Sequence, residues 1–145
     1  MNVFSAMEII SSALTAQRTR LNVTAANLAN AETTRTPEGG PYRRKDPVFG
    51  TDPVYLRFHE LANDPLAREI PGVRTVDIVE DQNPPRMVYD PGHPDADPNG
   101  FVAYPNVTAV EEMVNMIMAS RAYDAGVTAL QAATGMAKSS IKIGE

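Results

Sequence analysis

At 145 residues the chain has room for one domain, or a small domain with helical arms. It contains no cysteine, which excludes disulfides, thiol catalysis and Cys-ligated zinc. Its net charge of -5 argues against a nucleic-acid partner, and no 18-residue apolar run is present to span a membrane.

The N-terminal segment alternates steps of four and three through Val3, Met7, Ile10, Leu14, Gln17, Leu21, Thr24, Leu28 and Ala31. That period places one stripe along a helix and suits coiled-coil packing. Ser5 and Glu8 fit a capping box, with Phe4 and Ile9 as the staple around it. The helix is expected to end near Ala31, where Glu32–Pro37 brings β-branched residues and a proline. The absence of a basic leader before the apolar residues predicts that no secretory signal is cleaved.

All 12 prolines fall between Pro37 and Pro105, so the middle is expected to be non-helical. Val73–Val79 is β-branched and partly alternating, which predicts a strand. Asp81–Pro85 reads as a turn. Met87–Tyr89 and Phe101–Tyr104 read as short strands joined by Asp90–Gly100, and Tyr55–Phe58 as a further strand. Arg43-Arg44-Lys45 reads as a solvated loop or a subunit contact.

A second helix is expected from beyond Pro105-Asn106 to about Lys142, with Thr108 and Glu111 as its capping box. Its seam is predicted at Met113, Met116, Ser120, Tyr123, Val127, Leu130, Thr134, Ala137 and Ile141. Gly126 and Gly135 weaken this helix by roughly 1 kcal/mol each, or permit close helix approach. The predicted fold is therefore mainly α with a small β insert. Terminal helices at 1–31 and 107–145 form a coiled-coil-like pair or bundle around a proline-rich, short-stranded antiparallel region at 32–106.

The first 31 residues carry only Glu8, Arg18 and Arg20 as charges. The face opposite the seam is small and weakly polar, which suits burial on more than one side. One seam is thin against the entropy of ordering the helix, so the termini are expected to order fully on assembly. The alternative is an antiparallel pair packed on its own insert.

Chemistry is sparse. His59 and His93 stand in no ligand or triad pattern, and Gly39-Gly40 is followed by proline rather than a helix start. Asp95-Ala96-Asp97-Pro98-Asn99-Gly100 opens like a calcium loop, but its twelfth position is Asn106, so a wide turn is the better reading. The expectation is no catalytic site, no cofactor, no metal and no small-molecule substrate.

Asn27-Leu28-Ala29-Asn30 followed by Thr33–Arg44 resembles the N-terminal signature of bacterial flagellar axial proteins, the rod, hook and hook-associated subunits. Met116–Tyr123 resembles their C-terminal signature, and the loop Tyr89–Val107 is similar to the proximal-rod branch. Gly126 departs from the asparagine that the family often carries there. The resemblance implies a non-enzymatic subunit that assembles helically in a rod transmitting torque across the periplasm. It implies export through the flagellar type III apparatus, and contacts with itself, other rod proteins and the MS-ring and hook-basal-body neighbours. By the same carry-over, Asn27, Leu28, Asn30, Thr33, Arg121 and Tyr123 are assembly contacts, joined by the seam residues Leu14, Leu21, Met116 and Leu130. For Asn27 and Asn30 the alternative is capping of their own helix. Another short rod protein, or a small scaffold presenting the insert on a helix pair, remains the competing reading.

Overall fold

The computed structural model describes residues 3–54 and 70–143. Two long helices, α1 (Val3–Ala29) and α2 (Ala109–Ile143), enclose a β region in the chain. Among the described residues that region comprises two hairpins rather than one sheet. β1 (Lys45–Val54) pairs antiparallel with β2 (Ile70–Glu80), and β3 (Arg86–Tyr89) pairs antiparallel with β4 (Phe101–Tyr104). The strand expected at Tyr55–Phe58 lies outside the described residues.

α1 and α2 run antiparallel. Asn27, near the end of α1, bonds Glu112 in the first turns of α2, while Leu14 meets Gly126 farther along. The β1–β2 hairpin lies against α1 and is pinned there by Ser12, whose Oγ donates to the Ile9 carbonyl and accepts from the Val73 N–H at 3.1 Å. Because α1 meets α2 on one side and the hairpin on another, its small residues are buried on more than one face. Ser5, Ala16, Val23, Thr24 and Asn27 are all buried. Ser5 therefore sits inside α1 rather than capping it, and the Phe4 side chain expected to staple that cap lies outside the described residues. Thr108 immediately precedes α2, in the position of an N-cap.

α2 keeps its heptad period, with the predicted phase shifted in part. Met116, Tyr123, Leu130 and Ala137 face inward as expected, half-buried. Between them the most buried positions fall one residue earlier, on Glu112, Ala119 and Ala133; the predicted Val127 and Thr134 are half-buried, as is Gly126, while the predicted Met113, Ser120 and Ile141 are exposed. Small residues every seventh position let the two backbones approach. Met118, beside Ala119, turns outward, whereas Val127, beside Gly126, stays half-buried.

β1 was not visible as a strand because Pro47, Gly50 and Pro53 interrupt it. A two-stranded ribbon tolerates them, since each strand has an unpaired edge where a missing N–H costs nothing. Register runs from Lys45 opposite Glu80 to Val54 opposite Ile70, with a bulge between Val48 and Phe49. In the second hairpin, Tyr89 and Phe101 meet edge to face at 5.3 Å. The loop before β4 is closed by Asp97, whose Oδ1 accepts from the Asn99 and Phe101 N–H groups, both at 2.8 Å. Gly100 holds φ of 81° beneath the Tyr89 ring. The wide turn read from the sequence is thus a turn tied by its own aspartate.

Gly135 gives a direct stability prediction. It lies exposed in α2, with nothing within 4 Å of a would-be Cβ. Gly135→Ala is expected to stabilise the chain by about 0.5–1 kcal/mol, read as a rise of about 2–4 °C in Tm. An unchanged or lower Tm counts against this placement in a regular helix.

Candidate functional site

The end of α1 is joined to the β region and to α2 by one polar junction. Beyond α1 the chain turns through Asn30–Thr33, where Asn30 Nδ2 donates to the Ala26 carbonyl at 2.9 Å and Thr33 Oγ1 donates to Asn30 Oδ1 at 3.2 Å. A second turn at Thr36–Gly40 places Gly39 and Gly40 at φ of 91° and 77°, a backbone region closed to most residues. This reversal brings Tyr42 back, its N–H bonding the Thr33 carbonyl at 3.1 Å. Tyr42, Arg44 and Lys45 then lie alongside the last turn of α1.

Asn27, only 1% exposed, is the centre of the junction. Its Oδ1 accepts from the Tyr42 hydroxyl at 3.0 Å and the Lys45 N–H at 2.9 Å. Its Nδ2 donates to the Lys45 carbonyl at 2.8 Å and to Glu112 Oε2 at 3.1 Å. All four hydrogen-bonding positions of the amide are used. Glu112, also 1% exposed, takes Arg44 Nε on its other oxygen at 2.8 Å. Arg44 reaches on to Asp46. Three elements, α1, β1 and α2, and one loop are therefore locked together by side chains from all four segments.

Electrostatics favour this state. Burial by itself lowers the Arg44 pKa, but hydrogen bonds to Asp46 and Glu112 and their charges raise it above the ordinary guanidinium value. Burial, with the nearby Glu80 and Glu112 carboxylates, pushes the Tyr42 phenol up, so it remains a donor toward Asn27. The position of Glu112 near the start of α2 also suits its charge to the helix dipole.

Asp95 and Asp97 are engaged elsewhere. Asp95 Oδ2 accepts the Thr34 hydroxyl at 2.8 Å, and its other oxygen lies 3.8 Å from Arg35. His93 Nδ1 accepts the Asp95 N–H at 3.1 Å, and its ring meets Tyr104 edge-on at 6.1 Å. His59 lies outside the described residues. Among the described residues no three His, Cys, Asp or Glu side chains converge as a metal site.

The residues singled out from the sequence separate into three groups. Asn27 lies in the junction, and Asn30 and Thr33 close the end of their own helix. Leu14 meets Gly126 across the helix pair, and Leu21, Leu28, Met116, Tyr123 and Leu130 are half-buried. Arg121 stands exposed on α2. Sequence reasoning missed Tyr42 and Glu112, and it read Arg44 as part of a solvated loop or a subunit contact. For Glu112 a signal existed: it precedes Met116 by four positions and Ala119 by seven, the inward phase of the heptad.

The outer side of α2 carries the opposite character. Val110, Met113, Val114, Ile117 and Met118 are 50–69% exposed, an apolar face with spacing of one helical side. The buried apolar side chains, by contrast, are Ala16, Val23, Val102, Pro105, Ala119 and Ala133 among the described residues. Small residues inside and large ones outside describe a surface built to be covered. No helix in the described residues is long and apolar enough to cross a membrane, so lipid does not cover it as a span.

Comparison with known proteins agrees with this geometry. Residues 7–35 match the flagella basal body rod protein family, and residues 99–143 match the C-terminal family of flagellar basal body rod FlgEFG proteins. A FlgC flagellar basal-body rod protein of Borreliella burgdorferi is 42% identical over 99% of this chain and 98% of its own length. Those of Escherichia coli and Bacillus subtilis are 41% and 38% identical over 100% of this chain and 98% and 100% of theirs. The matched N-terminal segment contains Asn27, and the C-terminal one contains Glu112 and the apolar face of α2. The chain belongs to the FlgC family of flagellar basal-body rod proteins.

Proposed function

We propose that this chain is a structural subunit of the proximal flagellar rod, assembling helically into the shaft that carries torque across the periplasm. The carrying observation is the inversion on α2: small residues in the intramolecular seam, and a continuous face of large apolar residues outside it. Neighbouring subunits would bury that face, and the termini would order fully as they did so. In this reading the junction around Asn27 transmits load from the helix pair to the β hairpins. Leu14, Leu21, Leu28, Met116, Tyr123 and Leu130 become wholly buried in the assembly. Arg121 reaches a carboxylate on a neighbour. Asn27, Asn30 and Thr33 support these contacts by fixing the end of α1.

The subunit acts without catalysis or cofactor. Its partners are copies of itself, other rod proteins and the MS-ring and hook-basal-body neighbours, reached by export through the type III apparatus without a cleaved signal. Electron microscopy of basal bodies from a strain lacking the gene, beside the complemented strain, tests this. Missing rods that return on complementation are expected. Intact rods in swimming cells would overturn the role.

A further inference from the structure

α1 exposes Glu8, Ser11, Thr15 and Arg18, and α2 exposes Glu111, Val114, Met118 and Arg121. Both quartets advance by steps of three, four and three, so each forms one stripe on its helix. Each begins with an acid and ends with a base. None of these four charged residues forms an ion pair among the described residues. Laid antiparallel, the stripes match at every position. Glu111 meets Arg18, Val114 meets Thr15, Met118 meets Ser11, and Arg121 meets Glu8. Charge pairs close both ends, and two large apolar side chains fall on two small ones.

The chain cannot make this match with itself. Its own helix pair is registered by Asn27 on Glu112 and Leu14 on Gly126, about three turns out of step, and both stripes point to solvent. A second copy can. Subunits related by a rotation and rise along an axis near the helix direction keep the same polarity. Across such a boundary α1 meets α1 in parallel, but α2 meets α1 antiparallel. The parallel α1 match in register would set Glu8 on Glu8 and Arg18 on Arg18, which repel.

We propose that the outer stripe of α2 in one copy docks antiparallel on the outer stripe of α1 in the next, with Arg121 on Glu8 and Glu111 on Arg18. The contact rests on the rod reading and names one of its interfaces. It uses a different surface on each partner, so it propagates instead of closing into a dimer. The register staggers successive copies by about 16 Å along the helix axis.

The absence of native cysteine makes the test clean. In a strain whose only copy carries Thr15→Cys and Val114→Cys, oxidation of isolated basal bodies is expected to yield a ladder of multiples of the chain mass. Either single variant is expected to give none, as is Thr15→Cys combined with Ile141→Cys, whose sites lie far apart in the proposed register. Separately, Glu8→Arg and Arg121→Glu each abolish rods, and the two together in one chain restore them. Normal rods without a ladder would overturn this contact while leaving the rod reading intact. A cross-link to a subunit of different mass would show that another axial protein, not a second copy, occupies the stripe. Normal rods with either charge reversal would remove the ion pair from the argument.

Discussion

Glu112→Ala lowers the stability of the purified chain by about 3 kcal/mol or more, whereas Glu111→Ala beside it changes stability by less than about 0.5 kcal/mol. The two residues differ in what surrounds them. Glu111 is exposed, while Glu112 is buried between the Arg44 guanidinium and the Asn27 amide. Deleting Glu112 strips Arg44 of its inner partner and leaves an Asn27 N–H without an acceptor. Breaking a buried pair from one side costs about 3–5 kcal/mol, because the remaining charge stays desolvated. Arg44 retains Asp46 and keeps about a fifth of its side chain in water, which places the expectation at the lower end. Thermal or urea unfolding followed by helical circular dichroism reads the difference. Equal stability of the two alanine variants would show that the junction does not hold the helix pair to the hairpins. A folded but loosened junction also breaks the mechanical link proposed for it, so cells carrying Glu112→Ala are expected to lose swarming.

The helical frame of this molecule was legible in the sequence because periodicity reports it directly. Val3–Ala29 and Ala109–Ile143 lie within two residues of the expected ends that the heptads and prolines marked, and Phe101–Tyr104 matches its predicted strand. Phase was less legible. Hydrophobicity favours Met113 over Glu112 as an inward residue, yet the reverse holds, since backbone approach selects small residues at 119, 126 and 133 and the junction supplies partners for Glu112. The β1 strand was hidden by prolines, which a strand with an unpaired edge tolerates. The junction itself joins residues 18, 68 and 85 positions apart, and no local pattern encodes such pairings. What the signature segment Asn27–Arg44 did signal was a special stretch of chain. Its physical content is the reversal at Gly39-Gly40 that returns Tyr42 and Arg44 to Asn27.

Gly126→Leu is expected to destabilise the chain by about 1–3 kcal/mol, and the loss traces to one opposing side chain. A Cβ at position 126 would lie 2.8 Å from Leu14 Cδ2 and 3.3 Å from Leu14 Cγ. A single methyl meets the end of a flexible side chain, so in Gly126→Ala the gain in helix propensity of about 1 kcal/mol largely offsets the crowding. A leucine has no such escape: either Leu14 leaves its rotamer or the helices separate. Separation has a further consequence, because the same helix pair carries Asn27 to Glu112 about two heptads away. Pairing Gly126→Leu with Leu14→Ala isolates the cause. The second substitution removes the obstructing atoms, so the double variant is expected to be more stable than the summed single effects by about 1–3 kcal/mol. Strict additivity would mean that Leu14 and Gly126 do not meet, and the antiparallel register drawn through them would fail with it. Strong coupling, with rods restored only in the double variant, would tie the spacing of the helix pair to the assembly of the shaft.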